Sequence, residues 1–160
     1  MRFGYFYNCT IMNLKQKIYN HYLQVINEKV TMLQKILNDL KESGTNETKS
    51  TAGDKHETAL AMLQIEQANT RAQLRDVLAQ KATLEKIDPT LTVPIIVNGS
   101  LMKTNRGYLF MSIAMGKAVI DSNAVIALSP QSPLGQKLMG LKTGDSAAIN
   151  DVEYIIELIE

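Results

Sequence analysis

Tryptophan is absent from this 160-residue chain, cysteine occurs once, as Cys9, and histidine twice, as His21 and His56. One cysteine excludes an internal disulfide framework and a cysteine-based zinc site, and two histidines leave too few ligands for a histidine-rich metal centre. No run approaches the roughly 18 to 20 apolar residues that a membrane span requires. The longest strand-like runs are about the length of Val93 to Val97. Excess charge of one sign is also missing, since 17 basic residues face 16 acidic ones. Bulk attraction to nucleic acid is thereby excluded, and any partner must be met through local patches. These absences point to a soluble cytoplasmic protein with no membrane contact, built as one ordinary domain or two small ones.

Proline is missing from Asn13 to Asp88, where the only glycines are Gly44 and Gly53. That stretch reads as long helix with one interruption. In its first half Tyr19, Tyr22, Ile26, Lys29, Leu33, Ile36 and Leu40 alternate at spacings of three and four, and Leu63, Gln67, Thr70, Leu74, Val77, Lys81 and Leu84 repeat the rhythm in the second. Each half presents a seam of the coiled-coil kind. The polar interruptions suit an intramolecular antiparallel pair better than a long dimer, so a monomer is expected. Between the halves, Glu42 to Gly53 (ESGTNETKSTAG) is polar and small and reads as the hairpin's tip. Ahead of the helices, residues 1–12 form an extension with four of the nine aromatic residues and no signal-peptide pattern. Met12 is a plausible start of translation.

After Asp88-Pro89 the pattern changes to short runs of Val, Ile, Leu and Met punctuated by Asn98-Gly99, Asn105-Arg106-Gly107, Asp121-Ser122-Asn123, Gly144-Asp145 and Asn150-Asp151. These are strands and turns. Ser132 to Met139 (SPLGQKLM) breaks the pattern, with a serine at a capping position, a proline in the first turn and Leu134 and Leu138 four apart. A short helix is expected there. The fold class is therefore α+β, an N-terminal antiparallel α-helical coiled-coil hairpin (13–88, tip 42–57) followed by a small antiparallel β-sheet domain with one short helix (89–160).

Charge divides along the same lines. Residues 13–41 carry five lysines against Glu28 and Asp39, whereas Glu42 to Glu57 carries four acids against Lys49 and Lys55. The hairpin has a basic shaft and an acidic tip. At the tip, Asp54 and Glu57 stand three apart at the start of a helix and share one side of its first turn. Two such carboxylates suit a hard divalent cation like Mg²⁺, which keeps waters and often takes only one or two carboxylates. The same spacing also makes a capping arrangement, and acids in a first turn favour the helix dipole. His56 lies beside them in the sequence.

A helical hairpin with an acidic tip, followed by a small sheet domain with a Ser-Pro helix, resembles the bacterial Gre-type transcript cleavage factors, as a divergent member. The tip pattern Gly-Asp-x-x-Glu-Asn-Ala is matched by Gly53, Asp54, Glu57 and Ala59, with Thr58 where the family has Asn. The C-terminal pattern is matched by Ser132, Pro133, Leu134, Gly135, Leu138, Met139, Gly140, Gly144 and Asp145, with a closing strand at Val152 to Ile159. The resemblance implies an FKBP-like sheet domain and a hairpin that enters the secondary channel of RNA polymerase. There Asp54 and Glu57 would share a Mg²⁺ with the polymerase, supported by Gly53, His56, Thr58 and Ala59, and stimulate hydrolysis of backtracked RNA by two-metal logic. Docking would fall to Gln131, Ser132, Pro133 and Leu134, and the basic shaft would lie near nascent RNA. The chain would have no catalytic residues of its own. Two other readings remain: a channel-binding regulator that does not promote cleavage, and a structural coiled-coil adaptor. A prolyl isomerase is disfavoured because residues 89–160 hold only Tyr108, Phe110 and Tyr154 as aromatics.

Overall fold

The structure, a computed structural model, describes residues 13–47 and 53–160, with the side chains of Glu47 and Asp54 outside the description. The expected N-terminal extension and the centre of the expected tip, residues 48–52, therefore lie outside the described residues. Two long helices, α1 (Leu14–Glu47) and α2 (Gly53–Glu85), precede six strands and a short helix. The strands are β1 (Leu101–Thr104), β2 (Gly107–Met111), β3 (Gly116–Ile120), β4 (Asn123–Leu128), β5 (Ser146–Ile149) and β6 (Val152–Ile159), with α3 (Pro133–Leu138) between β4 and β5. The protein is α+β.

The chain divides into two compact units, one of residues 21–87 and one joining the start of α1, up to Asn20, to residues 88–160. In the first, α1 and α2 pack together as a hairpin. Asn13 opens α1 by accepting the Gln16 amide on its side-chain oxygen at 2.8 Å, which satisfies one of the orphan donors of a helix start. Along α1 the residues that sink are Tyr22, Ile26, Val30 and Leu33, whereas Lys29 and Ile36 are exposed and Leu37 is half-buried. The α1 seam thus includes Val30 and Leu37 in place of Lys29 and Ile36. Adjacent candidates at 29/30 and 36/37 made two phases almost equivalent by spacing, and burial of the larger apolar area decides between them. On α2 the expected seam is observed, with Thr70, Val77 and Leu84 buried and Leu63, Gln67, Leu74 and Lys81 half-buried.

Helix also extends further into the polar tip than its composition suggests. The hydroxyls of Ser43 and Thr45 bond to the carbonyls of Asp39 and Glu42 at 3.0 and 2.8 Å. Residues that favour turns are accommodated in helix when their side chains bond back to the preceding turn. After α2, Asp88 accepts both the amide and the hydroxyl of Thr90, at 2.9 and 2.6 Å. Together with Pro89 this turns the chain out of the helix.

In the second unit the six strands form one sheet in the order β3-β4-β2-β1-β6-β5. The expectation of a wholly antiparallel sheet needs one correction: β2 and β4 are parallel, from Tyr108↔Val125 to Met111↔Leu128. The reason lies in the link between β2 and β3. Four residues, 112–115, carry the chain past the place that β4 later fills, a gap of two strand spacings or roughly 10 Å. Four extended residues reach about 13 Å. The turns behave as their composition predicts: Asp121 and Ser122 between β3 and β4, and Asn150 and Asp151 between β5 and β6, all have positive φ, from 49° to 64°. Paired positive φ values match the right-handed twist of a tight hairpin.

One sheet face carries Met102, Leu109, Met111, Leu128, Ile156 and Ile159, packed with Ile96, Ala147 and Leu138 of α3 into a core. On the other face the cross-strand pair Leu101↔Phe110 is buried, as are Val125 and Ala127. Ile18 of α1, with no exposed surface, belongs to the same unit. Lys17 of α1 also pairs with Asp121 of the β3–β4 turn at 2.5 Å.

Candidate functional site

The residues singled out from sequence fall into two groups on separate units. The tip group opens α2. Gly53 has a φ of 55°, a left-handed conformation that a side chain would strain, so it forms the junction into the helix. Asp54 therefore lies inside the first turn of α2 rather than at the cap, so the expected capping arrangement with Asp54 as N-cap does not apply. Backbone positions 54 and 57 still share a side of the first turn, three residues apart.

Around that turn the side chains diverge. Lys55, Glu57, Thr58 and Ala59 are exposed, while His56 is half-buried. His56 precedes Leu60 and Leu63 by four and seven residues, which places it on the seam side of α2 rather than beside the Glu57 carboxylate. Both His56 and Thr58 have partners of their own. Glu57 carries no hydrogen bond or ion pair among the described residues and points its carboxylate to solvent. Lys55, Thr58, Ala59 and Met62 line a shallow cleft of about 400 Å³ on the neighbouring side.

Among the described residues no three His, Cys, Asp or Glu side chains converge as a metal cluster. Glu57 is nonetheless a hard oxygen donor, exposed and uncommitted among the described residues. That chemistry fits Mg²⁺, which accepts one or two protein carboxylates and takes its remaining ligands from water, phosphate or a partner.

The second group surrounds the start of α3. Ser132 has extended backbone (φ −65°, ψ 153°) and caps the helix. Its hydroxyl accepts the Gly135 amide at 3.0 Å and donates to the Ser129 carbonyl at 2.7 Å. Pro133 takes the first helical position, where its missing N–H is no loss. Gln131 is fixed from three sides: the Ser129 hydroxyl donates to its Oε1, its amide donates to Ser129 Oγ at 3.2 Å, and Gln136 donates to its carbonyl at 3.1 Å. Gln131 and Pro133 are exposed. Leu134 instead packs on the core, and Ser132 spends its hydroxyl on the cap. Of the four expected docking residues, two thus present a surface and two hold it in place.

The remaining residues of the C-terminal pattern are structural as well. Leu138 is completely buried, and Gly140 and Gly144 have φ values of 81° and 94°. Asp145 accepts the Lys142 amide on its side chain at 2.8 Å, and its own amide returns to the Lys142 carbonyl at 3.1 Å, closing the turn before β5. The role of Gly135, beneath Ser129 and Ser132, was visible in the sequence only as a small residue in a helix. The described helices include none long and apolar enough to cross a membrane. The sequence matches no protein-family model, and no curated protein matches it.

Proposed function

We propose that the chain is a secondary-channel factor of RNA polymerase that stimulates cleavage of backtracked RNA, with no active site of its own. The observation that carries this reading is the exposed Glu57 carboxylate, without a partner among the described residues, in the first turn of α2, at the tip end of a two-helix arm roughly 50 Å long at 1.5 Å per residue. An acid held there by 33 residues of helix is placed to enter a narrow cavity of a larger partner. It does little for the isolated protein beyond a favourable interaction with the helix dipole.

Asp54 and Glu57 would hold Mg²⁺ jointly with acids of the polymerase. When bound, that ion supplies a water polarised for attack on a phosphodiester. The chain's own contribution is positioning. The left-handed Gly53 starts the helix, and the α1–α2 seam supports α2 from Leu63 onward, behind the turn that bears Glu57. The rigidly tied Gln131 and Pro133 present a preformed patch for the polymerase surface, from the cytoplasmic sheet unit. Of the α1 lysines, Lys29, Lys35 and Lys41 lie exposed for nonspecific contact with nascent RNA phosphates, whereas Lys15 is buried and Lys17 pairs with Asp121.

Purified chain added to stalled, backtracked elongation complexes with 3′-labelled RNA tests the proposal. Release of short 3′ fragments above the intrinsic rate supports it. Competition with an authentic cleavage factor without fragment release supports the non-cleaving regulator, and absence of any association contradicts both.

A further inference from the structure

We infer that Gln67 is a register pin of the hairpin, a positioning residue that sets how far the tip of α2 projects along α1. The α2 seam holds three polar residues, and they handle their polarity differently. Thr70 bonds to the Glu66 carbonyl of its own helix at 2.8 Å, and Lys81 reaches out to Glu85 at 3.6 Å. Gln67 instead reaches across the seam, its Nε2 donating to the backbone carbonyl of Leu40 in α1 at 3.1 Å. Arg71, one turn on, lies 3.4 Å from Gln67 Oε1 and orients the amide with its nitrogen toward α1.

The acceptor is reachable because residue 44 is glycine. The Leu40 carbonyl lies in the interior of α1, one turn before Gly44. A Cβ at position 44 would stand 3.7 Å from Gln67 Nε2 and 3.0 Å from Leu63 Cδ2. A β-branched or longer side chain there would fill the gap through which the amide reaches. Glycine inside a helix costs about 1 kcal/mol relative to alanine, and close helix approach at this level accounts for its presence.

Apolar seam contacts alone discriminate poorly between registers, because one leucine layer resembles the next. A polar seam residue discriminates better: paired it is nearly neutral, and in a slipped register the half-buried Gln67 amide loses the acceptor that the gap at Gly44 opens to it. Gln67 lies ten residues from Glu57, roughly 15 Å along the helix. A slip of one turn would move the tip carboxylate by about 5 Å relative to α1. The consequence for RNA cleavage rests on the proposed function; the pin itself does not.

The test uses the full-length protein in a Cys9→Ser background, with spin labels at the exposed Lys29 and Gln64, read by pulsed dipolar spectroscopy beside thermal melts. Wild type should give one narrow distance. Gln67→Leu should keep or raise the melting midpoint yet add a population displaced by about 5 Å, and Gln67→Glu, which cannot donate at neutral pH, should do the same should the leucine variant fail to fold. Unchanged distances in the folded variants, whatever their midpoints, would overturn the pin. If distances shift while Gln67→Leu stimulates cleavage as well as an active wild type, the positioning role is overturned. If distances shift and wild type itself does not act on polymerase, the pin stands and the proposed function fails.

Discussion

Gly135 packs against Ser129 so closely that a Cβ at position 135 would lie 2.1 Å from the Ser129 carbonyl oxygen. Because the obstructing atom is backbone, held also by the Ser132 hydroxyl and amide, it cannot swing away as a side-chain end could. Gly135→Ala should therefore destabilise the sheet unit by about 3 kcal/mol, at the upper end of overpacking costs. Chemical denaturation checks this, with the exposed Thr143→Ala as a control expected to lie within about 0.5 kcal/mol of wild type.

The neighbouring residues should separate structure from docking. Ser132→Ala removes the α3 cap and should cost about 1 kcal/mol of stability. Pro133→Arg changes an exposed first-turn residue and should leave the melt unchanged while abolishing association with polymerase. Retained affinity in Pro133→Arg would remove the docking patch from the account.

Ser112 offers a test of the crossover between β2 and β3. Its amide donates to the Leu128 carbonyl at 2.8 Å, but its hydroxyl is buried without a hydrogen-bond partner among the described residues. Relieving a buried unsatisfied hydroxyl is worth about 1 kcal/mol or more. Ser112→Ala should raise stability, and a loss of stability would show that the hydroxyl is satisfied in solution.

Lys15 in the first turn of α1 is buried and donates to the Leu91 carbonyl. Burial holds its ammonium below the ordinary 10.5, against the opposing pull of the Glu160 and Asp88 carboxylates. Between the lowered value and 10.5 the unfolded chain binds more protons than the folded one. The cost of burying the charge is thus fully present at neutral pH and is relieved as pH rises through that window. Asp88 is exposed and Glu160 half-buried, so Lys15→Met strands no deeply buried charge. The variant should match or exceed wild-type stability at pH 7 and should lack this alkaline gain. Melts from pH 7 to 10.5 check both.

Much of this architecture is legible from residue order because it depends on local chemistry. The α2 seam from Leu63 to Leu84, the Ser132-Pro133 start of α3 and the paired turn residues at 121–122 and 150–151 each signal their structure within a few positions. The errors arise where distant residues decide. Ile36 and Leu37 are equally apolar, and only packing against the partner helix selects Leu37. Ser43, Gly44 and Thr45 read as loop, yet back-bonding hydroxyls and the close approach of Leu63 keep them helical. The parallel pairing of β2 with β4 has no local signature at all. In the candidate site, Glu57, Pro133 and the capping duty of Ser132 were legible, whereas the structural duties of Leu134 and Gly135 depend on contacts with the core and with Ser129.

The tip carboxylates carry the central claim, and amide substitution separates a metal role from a helix-stabilising one. Asp54→Asn and Glu57→Gln preserve size and helix compatibility but lose the charge that holds a hard cation, so both should melt within about 1 kcal/mol of wild type, the scale of a charge–dipole interaction. Cleavage of a backtracked transcript, measured for wild type and both variants over a series of Mg²⁺ concentrations, is the most direct test. The account predicts that wild type stimulates cleavage, and that each amide variant still binds polymerase but loses most of the stimulation, with partial recovery at high Mg²⁺. Equal stimulation by wild type and both variants at every Mg²⁺ concentration would contradict it.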